Sequence, residues 1–378
     1  MMNRDTVLNL RNKNGRLFTL DKRHLDELRR ELDDFISSDE YFNSKAFAKN
    51  VMFTQEVKAN NNVEGIKDEI TTIEKIIEDA KSINDEERRG RIINLYKGYK
   101  YIMKGKEITP ENVHELYMIL SEGLLKDEDK SRMGSLYRTA PVYILNNGRL
   151  DDSMREGIET DRIPEFMKYY FDFVNNNYNF NDDSEIFIKS QIMHFYFVHI
   201  HPYFDINGRT SRTIAMWYLL NNSVYPYIIF NRGINFDSSY DKTIRLCEDI
   251  SDITKFLKYM LINTKKELEK ECVMRTLAQS TSRDWSAIDY QTLEYFISMK
   301  GDNKTVLDFN ALYNRYNDKK KAREVFETML LPLIEDGIIN IEKETSKVMY
   351  GEQHNLLLSL NKDRLKELDT SKLSRIII

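Results

Sequence analysis

His201-Pro202-Tyr203-Phe204-Asp205-Ile206-Asn207-Gly208-Arg209-Thr210-Ser211-Arg212 is the stretch that organises the rest of the chain. Upstream of it Ile188, Ile192, Phe195 and Val198 recur at helical spacing behind Ser184, which reads as that helix's cap. Pro202 cannot continue the helix, so the chain is expected to leave it at His201, cross a tight polar loop and start a second helix near Arg209. The start of that second helix is an anion site. Its free backbone N–H groups and dipole favour phosphate, Gly208 admits close approach, and Asn207 tolerates unusual torsions while offering an amide. Arg209 and Arg212 lie three apart, so both guanidinium groups can converge on one polyphosphate.

Asp205 adds a hard carboxylate beside that site, the kind of ligand that holds a magnesium ion bridging nucleotide phosphates. His201 has an ordinary pKa near 6.5 and can take a proton at neutral pH. Base, metal ligand and phosphate clamp within twelve residues point to transfer of a phosphorus group from a magnesium nucleotide to a hydroxyl. A polar loop with no chemistry is the competing reading of the same residues.

Working outward, 378 residues suffice for two or three domains, and 31% charged residues with six prolines and fourteen glycines favour a mainly helical chain. Helical spacing marks Leu25, Leu28, Leu32 and Phe35, then Ile66, Ile73, Ile76 and Ile77. Thr109-Pro110-Glu111 opens a helix through Val113, Leu116, Leu120 and Leu124, and Ile163-Pro164 opens another through Phe166, Tyr169, Tyr170 and Phe173. Between those two, Gly134 to Ile144 loses the helical period and reads as a short strand or hairpin. From Asn263 to Asp284 the composition turns polar, which suggests a helical arm or linker. Beyond it Tyr290–Met299, Phe309–Tyr316 and Lys319–Glu335 read as helices, and 338–341 with 356–358 as two strands, the pattern of a winged helix. The expected division is 1–100 N-terminal helical, 101–270 catalytic core, 271–285 linker and 286–378 winged-helix-like (α+β).

A net charge of −5 and a pI near 5.9 give no general attraction to nucleic acid. Cys247 and Cys272 lack disulfide or metal-ligand spacing, and no signal peptide or spanning segment is visible, so a cytoplasmic protein without membrane contact is expected.

The central stretch resembles the signature of the Fic family: His-Pro-Phe, any residue, Asp or Glu, Gly-Asn-Gly-Arg, two residues, Arg. The likeness covers roughly Phe53 to Asn263. It implies a helical Fic core with a small β-hairpin flap and, as activity, protein adenylylation by Mg²⁺ and ATP on a Ser, Thr or Tyr hydroxyl. By that likeness His201 is the base, Asp205 binds Mg²⁺, and Asn207, Gly208 and Arg209 hold the α and β phosphates. Arg212 faces the γ-phosphate, and Ile206, Thr210 and Ser211 complete the nucleotide loop. Tyr240 stands where family members place an aromatic near adenine, with core packing as its alternative role. Val142, Tyr143 and Ile144 fall in the flap, which lays an edge strand beside the target protein. Glu64-Gly65, behind Asn60, resembles the family's N-terminal inhibitory element (Ser or Thr, three residues, Glu, then Gly or Asn), whose Glu pairs with the second arginine, here Arg212.

Two departures stand out. Tyr203 replaces Phe and needs a hydroxyl partner. Ile206 replaces the first Gly of Gly-Asn-Gly, and a β-branched residue resists positive φ and crowds an approaching phosphate. Rival readings also stand. The same loop could remove AMP, with Glu64 as base for water, or transfer another nucleotide. A DNA-binding regulator could use Lys319-Lys320-Lys321 and Arg323, though the acidic total disfavours it. His194, His199 and His201 make a poor metal site, because His199 and His201 cannot point together on a helix. The sequence leaves a homodimer open.

Overall fold

The computed structural model describes residues 6–36, 49–64, 66, 68, 70–79, 84–144, 155–176, 183–222, 234, 239–297, 304–308, 326–348 and 352–367. The chain divides into two units, Met1–Lys45 with Met52–Glu267, and Ala46–Val51 with Leu268–Ile378.

The first unit begins with a hairpin of β1 (Thr6–Arg11) and β2 (Leu17–Leu20). Leu8 and Leu10 alternate inward on one strand and Phe18 and Leu20 on the other. The Asn12 carboxamide oxygen accepts from the amides of Asn14 and Arg16, both at 2.9 Å, and Gly15 supplies φ +79. This hairpin was not among the elements expected.

Helices follow: α1 (Asp26–Ile36), α2 (Lys49–Val63), α3 (Ile70–Glu78), α4 (Glu86–Ile102), α5 (Pro110–Ser121) and the short α6 (Asp127–Ser131). Thr109 caps α5 as expected, its hydroxyl accepting from the Asn112 amide at 3.2 Å. The two-residue strands β3 (Tyr143–Ile144) and β4 (Arg155–Glu156) pair antiparallel. Then come α7 (Ile163–Asn175), α8 (Asp183–Ile200), α9 (Asn207–Asn221), α10 (Ser239–Ile250) and α11 (Thr254–Gln279).

Ser184 lies inside the first turn of α8 and does not cap it. Its amide and hydroxyl donate to the Asp33 carboxylate of α1 at 3.0 and 2.7 Å, so a neighbouring helix satisfies this end. From Ser184 to Ile200 nearly every α8 side chain is buried, which makes it the central helix of the unit, and α9 packs along it. The cost of burying Lys189 is met by the carbonyls of Val174 and Asn176 at the end of α7, both at 2.9 Å.

The 263–284 stretch, expected as a helical arm or linker, is helical to Gln279. Val273, Met274 and Leu277 share a buried face, which suffices to hold the polar-looking stretch in a helix. The second unit continues with α12 (Ala287–Ile297), β5 (Lys304–Asp308), a π-helical turn over Phe326–Leu330 running into α13 (Leu331–Glu335), β6 (Ile339–Val348), β7 (Glu352–Leu360) and α14 (Lys362–Glu367). Its antiparallel sheet has the order β5-β7-β6, so the two expected strands exist, are longer than read, and gain β5. Trp285, Tyr290, Leu293, Phe296, Leu333 and Leu358 form its core, and Arg283 bridges Asp289 and Asp336. The helix expected at Phe309–Tyr316, together with Lys319-Lys320-Lys321 and Arg323, lies outside the described residues. Among the described residues no helix is long and apolar enough to cross a membrane.

Candidate active site

Helix α8 ends at Ile200, and His201 breaks from it at φ +52. Its ring Nδ1 lies 3.1 Å from the Val198 carbonyl and can only donate there, which leaves Nε2 as the lone-pair nitrogen. Burial, with the charges of Arg155 and Arg138, pushes the imidazole down to about 3 against the Val198 bond and the Glu64 charge. The ring is therefore neutral at pH 7, and a weaker base than an unperturbed histidine.

The loop after it is braced from within. The Asn207 amide nitrogen donates to the Tyr203 carbonyl, and its oxygen accepts from the Tyr203 amide, both at 2.9 Å. The brace uses the side-chain oxygen and one amide N–H, which leaves Asn207 a second side-chain N–H and its backbone N–H. Ile206 does adopt the left-handed region, φ +63 and ψ 15, with its side chain buried. Tertiary packing has overruled the torsional preference of a β-branched residue, at a cost of about 1–2 kcal/mol. Tyr203 is buried and stacks on Tyr117 at 3.7 Å, but its hydroxyl finds no partner among the described residues.

The N-cap residue of α9, Ile206, makes no side-chain cap hydrogen bond. The hydroxyls of Thr210 and Ser211 turn back to the carbonyls of Ile206 and Gly208, both at 2.8 Å, so these two residues face their own helix. Arg209 is buried, and its Nε has no partner among the described residues. Burial lowers its pKa against the attraction of Glu64 and Asp205. Arg212, 1% exposed, donates from Nε and Nη2 to the Asn60 side-chain oxygen at 3.0 and 2.8 Å, and from Nη2 to Glu64 Oε1 at 2.5 Å. Sequence separations of 152 and 148 residues are closed here.

Glu64 also stands over Gly208. A Cβ at position 208 would lie 2.7 Å from Glu64 Oε1 and 3.1 Å from Arg212 Nη1, so the carboxylate fills the space that the missing side chain leaves. Burial opposes its ionisation, but the charges of Arg212 and Arg209 and the hydrogen bond from Arg212 outweigh that and hold the carboxyl below its ordinary value. Gly65 lies outside the described residues.

Val142 is buried, Tyr143 is 61% exposed, and Ile144 pairs with Arg155 in the short hairpin. Its root is tied to the His201 turn by Arg138, which sequence reading passed over. Buried, this residue donates from Nε to the His201 carbonyl at 2.8 Å, from Nη1 to Ala140 at 2.9 Å and from Nη2 to Ile158 at 2.5 Å. Tyr240 is a core residue: it is buried, its hydroxyl meets His194 Nε2 at 2.5 Å, and its ring packs near Phe256. It nonetheless stays within electrostatic reach of Arg212 and Glu64. His199 is engaged elsewhere, its Nδ1 2.9 Å from Glu248, whose carboxylate also pairs with Arg155.

Among the described residues no three His, Cys, Asp or Glu side chains gather to hold a metal. Asp205 is exposed, with one carboxylate oxygen turned to the Ile206 amide at 2.6 Å. A single exposed carboxylate beside an uncapped helix start fits a magnesium ion delivered on nucleotide phosphates, which asks one or two protein carboxylates and takes its other ligands from phosphate and water.

Residues 107–219 match the Fic/DOC family, a span running from just before α5 into α9 and containing Arg138, the hairpin and the His201–Arg212 loop. The protein adenylyltransferase Fic of Drosophila willistoni is 25% identical over 260 residues, 66% of this chain and 48% of that protein. Its counterpart in Drosophila virilis is also 25% identical, with 66% and 49% covered. The chain thus spans about half the length of the curated relatives it matches. Among solved structures, a Fic family protein from Desulfovibrio desulfuricans G20 aligns with a TM-score of 0.54 at 18% identity, covering 88% of this chain and 95% of that one, a likeness of fold.

Proposed function

The chain is a Fic family protein, and from that premise we propose that it transfers AMP from Mg-ATP to the hydroxyl of a Ser, Thr or Tyr of a target protein, restrained by Glu64. One observation carries the reading. The uncapped start of α9, with Arg209 and Arg212 buried beside it, lies one short loop after a histidine whose Nε2 is free to accept a proton.

The acceptor oxygen bonds to the α-phosphorus as the bond from that phosphorus to the β-phosphate oxygen breaks and pyrophosphate leaves. His201 Nε2 takes the hydroxyl proton. The backbone N–H groups of Asn207, Gly208 and Arg209 face the charge on the phosphates, and the two guanidinium groups neutralise it. Magnesium, held by Asp205, would neutralise phosphate charge and fix the leaving group. The exposed hairpin with Tyr143 offers an edge strand against which a target segment can be laid without its sequence being read.

Glu64 supports the restraint because it takes the Arg212 nitrogen and the space over Gly208 that a γ-phosphate needs. The second unit, in which α12 precedes a β5-β7-β6 sheet, is read as a winged-helix module that binds protein before DNA. A cytoplasmic setting goes with this reading.

The test is incubation of wild type, Glu64→Gly and Glu64→Gly/His201→Ala with Mg-ATP and candidate targets, read by intact-mass spectrometry. An AMP adduct formed by the single variant and lost in the double variant is expected. ATP binding without an adduct from any nucleotide would overturn transfer and favour removal of AMP.

A further inference from the structure

Arg212 is gripped by two partners anchored very differently. Asn60 belongs to α2 and is fully buried, and its oxygen takes both Nε and Nη2 of the guanidinium. Its amide nitrogen donates to the Tyr99 hydroxyl at 3.2 Å, and that hydroxyl donates to the Glu56 carbonyl at 3.4 Å. Asn60, Tyr99 and Glu56 are all buried, so this chain of contacts has no exposed member. Glu64 lies one residue beyond the end of α2, its side chain is 34% exposed, and it reaches Nη2 alone. It can swing to solvent without disturbing Asn60.

The chemistry of the two acceptors differs as well. A carboxylate cancels the charge of the guanidinium, whereas a neutral amide oxygen orients it and leaves the charge for an incoming anion. An arginine side chain has many rotamers to lose, so holding it in place beforehand spares that cost when phosphate arrives.

We propose that Asn60 is a positioning residue for the nucleotide: it keeps Arg212 turned to the first turn of α9 whether or not Glu64 is engaged, so that departure of Glu64 uncovers a preformed γ-phosphate fork. The inference rests on the reading of Glu64 as the brake and of Arg212 as the γ-phosphate ligand. It adds that brake and fork are separate parts, one movable and one fixed.

The experiment measures binding of Mg-ATP and Mg-ADP by calorimetry to wild type, Glu64→Gly, Glu64→Gly/Asn60→Leu and Glu64→Gly/Tyr99→Phe. Tyr99→Phe keeps the ring packing and removes the hydroxyl that anchors Asn60 and reaches the Glu56 carbonyl, so it serves if the leucine variant misfolds. Glu64→Gly should bind ATP about tenfold or more tightly than wild type. Adding Asn60→Leu should weaken ATP by about tenfold again while leaving ADP, which lacks the γ-phosphate, close to its Glu64→Gly value, and Tyr99→Phe should act in the same sense but less. Equal weakening of ATP and ADP, or none, in the presence of a tight-binding Glu64→Gly parent would overturn the role of Asn60 alone. A Glu64→Gly parent that binds ATP no better than wild type would overturn the brake, and this inference with it.

Discussion

Arg138 Nε donates to the carbonyl of His201 at 2.8 Å, while the Arg138 backbone amide donates to the carbonyl of Pro202 at 3.0 Å. One residue thus holds two successive carbonyls of the turn in which His201 takes φ +52. A non-glycine residue at positive φ costs about 1–2 kcal/mol, so the turn needs such bracing. The other two Arg138 nitrogens bind the carbonyls of Ala140 and Ile158 at the hairpin root, which links the surface proposed for the target to the proposed base. Gly157 makes room for this, since a Cβ there would lie 2.8 Å from Arg138 Nη2 and 3.3 Å from His201 Cβ.

Replacing Arg138 by Lys keeps a charge but supplies one donor group where three were used. In the Glu64→Gly background we expect transfer to fall about 100-fold, the scale of a misplacement of roughly 1 Å, with ATP affinity little changed. Calorimetric ATP binding beside single-turnover transfer separates the two. A parallel loss of ATP affinity would show that Arg138 supports the nucleotide loop instead.

Apart from the Glu64–Arg212 pair, which the family resemblance supplies across 148 positions, residues whose partners are near in sequence are legible and those whose partners are distant are not. Thr109 caps a helix three residues on, and the His201–Arg212 loop carries its signature in one contiguous stretch. Arg138 looked like any basic residue, because its carbonyl partners at Ile158 and His201 are 20 and 63 positions away. Asn60 was read only as a substitute within a motif, while its grip on Arg212 spans 152 positions. The β1–β2 turn at Asn12-Lys13-Asn14-Gly15 carried the composition of a turn, but its flanking strands of six and four residues were too short to stand out among helical patterns. Ile206 was read correctly as the wrong residue for positive φ, and the structure places it there because the Asn207 clamp and burial of the side chain impose it.

Glu64→Gly should be less stable than wild type without nucleotide and should recover with it. The change leaves Arg212 buried with only a neutral partner, and loss of a charge-assisted contact costs about 1.5–3 kcal/mol, reduced here because Glu64 is one-third exposed. For a unit of this size that corresponds to a Tm lower by about 2–6 °C. Mg-ATP should raise the Tm of the variant more than that of wild type, since ligand that binds only the folded state stabilises it. Thermal unfolding with and without Mg-ATP checks both halves, and an unchanged Tm would mean that the ion pair contributes nothing measurable.

At Ile206 two effects oppose each other. Ile206→Gly relieves about 1–2 kcal/mol of backbone strain but gives up burial of the side chain, worth about 1.5–3 kcal/mol, and adds freedom to the unfolded chain. The net should be a destabilisation of no more than about 3 kcal/mol, whereas Ile206→Ala, which loses most of the burial and keeps the strain, should cost more. Denaturant unfolding of the pair decides this order. In the Glu64→Gly background the glycine variant should also bind ATP more tightly, because the Cβ beside the phosphate path is gone.

Acid should act on His201 through stability before it acts through catalysis. The folded imidazole is depressed to about 3 by burial and by Arg155 and Arg138, and His199 is depressed to about 3 by burial and by Arg155 and Lys13. The unfolded chain binds these protons near pH 6.5 and the folded one does not, so the contribution of both residues to stability is intact above pH 6.5 and declines as the pH falls from there toward 3. Tm measured from pH 7.5 to 4.5 should drop steadily through that window, and the drop should be shallower in His199→Gln, which removes one of the depressed histidines. For Glu64→Gly the acidic limb of kcat/KM, which reports the free enzyme, should lie below pH 5, since the ring stays unprotonated down to there. An acidic limb near pH 6.5 would mean that His201 titrates as a solvent-exposed histidine and that the charges of Arg155 and Arg138 do not reach it.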